Sequence, residues 1–136
     1  MVKISAVYEG NLHCCLTHGP SGRKLETDAP KDNMGKGEAF SPTDLSAASL
    51  VSCVLTTMAI YAERHGIDLK GTEADIEKEM SQDPPRRIVK LTMRVRMPKG
   101  IKTEVRKTLE NIGENCPVFK SLHPDVKTPV TFTYPD

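Results

Sequence analysis

The sequence has no excess of charge of either sign: 19 Lys and Arg against 18 Asp and Glu leave a net +1 over 136 residues. Proteins that hold nucleic acid or anionic membranes need a concentrated positive field, so neither is expected as a general partner, although a local basic patch is still compatible. A secretory leader is also missing from the pattern. MVKISAVYEG alternates like a strand and shows no charged start followed by an apolar block. No apolar run is expected to reach the roughly 20 residues of a membrane span. These absences predict a cytoplasmic protein, in which the four cysteines stay reduced and any pairing between them is transient and chemical. Repeats and low-complexity tracts are lacking too, and residues 1–136 read as one domain. A chain of this length buries about two-thirds of its unfolded surface, so it needs no metal or disulfide as a staple.

What is present alternates first and then coils. Val2, Ile4, Ala6 and Tyr8 mark a half-buried strand. Glu9-Gly10 is expected to turn the chain into a second strand, with Leu12, Cys14 and Leu16 on one face and His13, Cys15 and Thr17 on the other. Gly19-Pro20-Ser21-Gly22 then turns toward Lys24–Thr27, so residues 2–27 form a meander. Residues 28–40, with Pro and Gly, read as a loop on which function can sit. Ser41-Pro42-Thr43-Asp44 is a helix start with a cap, a first-turn proline and a first-turn acid. That helix runs to Gly66, is apolar on most sides, and suits a buried central position. Residues 69–80 and the cleanly alternating 89–97 form a hairpin about Asp83-Pro84-Pro85. Ile101, Val105, Leu109, Ile112 and Cys116 lie on one stripe of an amphipathic helix that Pro117 ends, and residues 130–134 close the chain as a strand. The fold class is α+β.

Two cysteines are candidates for chemistry. Cys53 lies on the long helix among Ser46, Ser49, Thr56 and Thr57 at helical spacing. Small side chains leave room for a substrate and hydroxyls supply donors, both of which a reactive thiolate needs. The same stripe serves equally for close helix packing around an ordinary buried thiol, the reading that pattern alone favours. Cys53 lies too deep in its helix to feel the N-terminal dipole, so a cation from another segment is required to lower its pKa. Cys116, at the C-terminal end of its stripe, sits where a helix dipole disfavours an anion. It is therefore expected to be the poorer thiolate and the better resolving partner, unless it merely completes an apolar face.

Other motifs carry less. His13-Cys14-Cys15 invites a zinc reading, but adjacent strand residues point to opposite faces and no second ligand cluster follows, so no metal is expected. Cys14 is expected in the core. The turn at residues 19–24 lacks the ending of a phosphate loop, and neither a serine-centred elbow nor a carboxylate pair stands out.

Gly37-Glu38-Ala39-Phe40-Ser41-Pro42-Thr43-Asp44-Leu45 before the small-residue helix and Cys53, with Cys116-Pro117-Val118 and Ser121-Leu122-His123-Pro124 further on, resembles the OsmC/Ohr family, the osmotically induced and organic-hydroperoxide-resistance proteins. The resemblance covers essentially the whole chain. It implies antiparallel sheets around a long central helix with a second helix beside it, two chains intertwined as a homodimer, and no cofactor. It also implies a thiol peroxidase of oxidative-stress defence: Cys53 attacks an organic hydroperoxide or hydrogen peroxide, Cys116 resolves the sulfenic acid, and an external dithiol restores both. Arg23 is the meander arginine that matches the family's thiolate-holding arginine. The active peroxidases carry a glutamate where this chain has Thr43, and Glu38 is a candidate replacement. That departure marks a divergent branch, and the alternative it implies is a non-catalytic protein that binds a small ligand.

Overall fold

The computed structural model describes all residues from Met1 to Asp136. The backbone forms two compact units, residues 1–46 and 47–136, with the division falling inside the first long helix. In the first unit, β1 (Ile4–Gly10), β2 (His13–His18) and β3 (Lys24–Asp28) form an antiparallel meander in that order. The expected turn at Glu9-Gly10 moves two residues along. β1 continues to Gly10, and the reversal is made by Asn11 and Leu12, both left-handed at φ 54° and 60°. Two positive φ values in a two-residue loop match the right-handed twist of the strands they join. Asn adopts that conformation readily, but an L-residue such as Leu is strained there by about 1–2 kcal/mol.

Leu12 is also substantially exposed, so little packing offsets the strain. Leu12→Gly is therefore expected to stabilise the protein by about 0.5–1 kcal/mol, after allowance for glycine's larger unfolded-state entropy. A melting temperature unchanged or lowered in calorimetry would contradict this.

Between β3 and the helix, residues 31–33 make one 3₁₀ turn. Gly35 passes so close to Ala29 that a Cβ there would lie 1.6 Å from the Ala29 carbonyl oxygen. Only glycine permits that approach. The helix α1 (Pro42–Arg64) begins as its sequence dictates: Ser41 Oγ accepts from the Asp44 N–H at 3.0 Å, and Asp44 Oδ2 accepts from the Ser41 N–H at 3.0 Å. This reciprocal cap satisfies two donors that the first turn would otherwise leave open.

The second unit places α1 with a mixed sheet. β4 (Glu73–Met80) and β5 (Ile88–Arg96) are the expected antiparallel hairpin. β6 (Val130–Thr133) pairs parallel to β5, so this sheet is mixed and not purely antiparallel as expected. The crossover from β5 to β6 contains α2 (Thr103–Gly113) and a short α3 (Pro117–Ser121), the kind of helical connection that parallel neighbours require. Ala47, Leu50, Val54, Met58 and Ala62, spaced one turn apart, are the buried stripe of α1. They share a core with Leu91, Met93 and Val95 of β5 and Leu109 of α2. Gly113 lets the end of α2 reach α1, since a Cβ would lie 2.8 Å from Met58 Sδ.

One expectation from the sequence is corrected here. An 18-residue window of α1 has mean hydropathy 1.7, so by length and composition this helix meets the requirement of a membrane span. Its serines and threonines break the run to the eye without making it polar on average. A core helix passes the same test; here 28% of the window is buried, along the stripe that packs into the core of the second unit.

Candidate functional site

Cys53 lies midway along α1, and Cys116 lies in the segment between α2 and α3. The structure corrects the reading of Cys116. α2 ends at Gly113, and Cys116 is the residue that caps the N-terminus of α3, with Pro117 at the first helical position. The apolar spacing persists through residue 116 although the helix does not, because Pro117 stops one helix and starts the next. The helix-end dipole argument for Cys116 therefore fails. Its consequence, a poor thiolate, is retained for another reason.

That reason is burial. The Cys116 side chain is fully buried, and desolvation pushes its thiol above the ordinary value. The N–H groups of Phe119 and Val118 oppose this shift, while its hydrogen bond to Cys53 and the charge there reinforce it. Cys53 is only partly buried. Burial again raises its pKa, but hydrogen bonds from the Val118 N–H, the Cys116 thiol and the Thr57 hydroxyl together outweigh it and hold Cys53 below the ordinary value. The Thr57 Oγ1 lies 3.8 Å from Cys53 Sγ, one turn further along the same helix.

The two free thiols are therefore close enough for each to shift the other, with the proton favoured on Cys116 and the charge on Cys53. The Val118 N–H, the Cys116 thiol and the Thr57 hydroxyl supply that ordering. The Val118 N–H was not legible in the sequence as a contributor, because it depends on α3 starting at residue 117.

Arg23 lies in the β2–β3 turn of the first unit, where its carbonyl accepts from the His18 N–H at 2.8 Å. It lines a mainly apolar depression of about 280 Å³ with Ile4, Leu16, His18, Lys24, Leu25 and Leu45. The Glu38 N–H donates to Asp28 Oδ2 at 3.1 Å. Thr43 Oγ1 lies 3.3 Å from Ser41 Oγ, within the helix cap. Cys14 and Cys15 are both half-buried, so Cys14 is less enclosed than expected.

The sequence reading also missed a cluster on the meander. His13 Nδ1 meets Asp28 Oδ1 at 2.5 Å, and its Nε2 faces Glu26 Oε1 at 3.1 Å and Glu9 Oε1 at 3.6 Å. The Asp28 hydrogen bond, followed by that of Glu26, holds the His13 pKa above its usual value. The signal that could have revealed it is cross-strand register, which pairs His13 with Asp28.

An α+β scaffold that brings two reduced cysteines into contact defines a dithiol protein of small size. The chain belongs to the OsmC-like protein family, whose model matches residues 35–131. A solved structure from Psychrobacter arcticus, provisionally described as an osmotic stress induced and detoxification response protein, is 41% identical, covers 98% of this chain and 96% of its own, and superposes with a TM-score of 0.92. The organic hydroperoxide resistance protein OhrB of Bacillus subtilis shares 20% identity over 98% of both chains with a TM-score of 0.71. An organic hydroperoxide resistance protein OsmC of Legionella pneumophila shares 19% identity over 98% of this chain and 96% of that one, with a TM-score of 0.73. The last two likenesses establish the fold alone. No curated protein matches the sequence.

Proposed function

We propose that the protein is a thiol-dependent peroxidase of oxidative-stress defence, with Cys53 as nucleophile and Cys116 as resolving thiol. The observation that carries this reading is the contact between a thiol held below its ordinary pKa and a buried one held above it. In the first step the Cys53 thiolate attacks one oxygen of an organic hydroperoxide or hydrogen peroxide. The O–O bond breaks, Cys53 becomes a sulfenic acid, and the leaving alkoxide or hydroxide takes a proton. In the second step the Cys116 sulfur displaces that hydroxyl as water, forming a disulfide, which an external dithiol reduces by exchange. The names of the structural relatives, two of them organic hydroperoxide resistance proteins, support the substrate class.

The assignment of Arg23 as the cation that holds the thiolate is carried by the family resemblance. A cytoplasmic homodimer belongs to the same proposal. Ile4, Val7 and Tyr8 of β1 are each more than 60% exposed, and so much uncovered apolar strand surface fits a second copy. Thr43 in place of the family's glutamate favours one other reading, a non-catalytic protein that binds a small ligand.

Peptide mapping after one equivalent of cumene hydroperoxide separates the two. Turnover chemistry is expected to yield a Cys53–Cys116 disulfide with Cys14 and Cys15 untouched, and Cys116→Ser is expected to leave Cys53 as a sulfenic acid that a dimedone probe captures. Thiols that survive peroxide unchanged would sink the peroxidase and leave the binding protein.

A further inference from the structure

We propose that Glu9, His13 and Glu26 form a binding site for one divalent transition-metal ion of the Zn²⁺ class, distinct from the cysteine pair. The ligand atoms come from three different strands, β1, β2 and β3, and all lie within 4.8 Å of one another. In a tetrahedral site with metal–ligand bonds near 2.1 Å, ligands stand about 3.4 Å apart. His13 Nε2 lies 3.1 Å from Glu26 Oε1 and 3.6 Å from Glu9 Oε1, which brackets that value. The strands hold both carboxylates at coordination spacing from the His13 nitrogen, and the two carboxylates lie within 4.8 Å of each other.

Three features beyond the ligands suit an ion. Asp28 has a side chain 10% exposed and holds His13 Nδ1, while its second oxygen accepts the Glu38 N–H. Both ring nitrogens face carboxylates, so an ion takes the place of the Nε2 proton shared with Glu26 while the Nδ1 proton stays donated to Asp28, the arrangement that orients metal-bound histidines. Second, the register of β1 on β2 shifts between Tyr8 and Gly10, and such bulges re-aim side chains. Here the shifted residue is Glu9, whose carboxylate is turned to His13. Third, these residues line one depression of about 330 Å³, with Lys36 and Glu38 at its rim, so water can complete the coordination. Two carboxylates neutralise a divalent charge, and the mixed nitrogen and oxygen set selects Zn²⁺-like ions over Ca²⁺ or Mg²⁺.

The expectation of no metal arose from Cys14 and Cys15, which point to opposite faces. The ligands named here are instead partners of His13 across the strands, and neither cysteine takes part.

Cobalt(II) titration of the reduced full-length protein tests the site, because tetrahedral Co²⁺ absorbs strongly in the visible and thiolate ligation adds a separate charge-transfer band. One Co²⁺ per chain is expected, with tetrahedral intensity and no sulfur band, and Cys14→Ser with Cys15→Ser should leave it unchanged. Glu26→Gln, at an exposed position that folding tolerates, should abolish it. Asp28→Asn should weaken it by about 10–100-fold, the usual effect of losing an outer-shell partner. No stoichiometric spectrum from the wild-type protein, a sulfur band that disappears with the cysteines, or equal binding by Glu26→Gln would each overturn the assignment.

Discussion

Cys53→Ser is expected to lower the rate of peroxide consumption by on the order of 10³-fold or more, the scale on which loss of a covalent nucleophile acts. A serine hydroxyl at this position has the same hydrogen-bond donors around it, the Val118 N–H, the Cys116 thiol and the Thr57 hydroxyl. None of them brings an alcohol near ionisation at neutral pH. The pH dependence of the wild-type reaction carries the same logic with a definite sign. Because Cys53 is held below the ordinary thiol value and Cys116 above it, the first oxidation should rise with pH to a plateau whose midpoint lies below the roughly 8.5 of a free cysteine. Stopped-flow peroxide decay over a pH series measures both. A midpoint above the free-thiol value, or serine turnover near that of the wild type, would show that another group carries the chemistry.

The second large effect is on stability. Leu109 is fully buried on the face of α2 that meets the core formed by Leu50, Val54 and Met58 of α1 and Leu91 and Val95 of β5. Truncation to alanine removes three carbons from a close-packed interior and leaves a cavity that the surrounding helices and sheet fill only in part. The expected cost is about 2–5 kcal/mol, which lowers the melting temperature of a domain this size by roughly 7–18 °C. Calorimetry of Leu109→Ala decides it. A shift under about 2 °C would mean the site collapses around the smaller side chain, the one outcome in which cavity cost vanishes.

Much of this architecture is written locally. Ser41 and Asp44 announce the start of α1, and Gly66, left-handed at φ 66°, ends it. The alternation of Val89 to Met97 reports a strand with one wet face, and β5 occupies residues 88–96. What the sequence conceals is set by partners distant along the chain. The apolar stripe of α2 runs on to Cys116 without a break in period, so nothing local reveals that the helix stops at Gly113 and a new one starts at Pro117. The direction of β6 depends on where α2 and α3 deliver the chain, and period alone cannot give it. His13 looks like the neighbour of Cys14 and Cys15 when read in order, but its working neighbours are Glu9, Glu26 and Asp28, which only strand register brings to it.

Within its sheet β4 stands at the edge, hydrogen-bonded on one side only. An open edge is a template on which a second sheet can grow into an aggregate. Along β4 the more exposed positions are Glu73, Asp75, Glu77 and Glu79, all carboxylates. Cations of β5 pair with all four: Arg94 with Glu77, Arg96 with Asp75 and Glu73, and Lys90 with Glu79. A second edge brought against this one would have to strip water from four exposed ion pairs, and that desolvation cost opposes one molecule adding to the next.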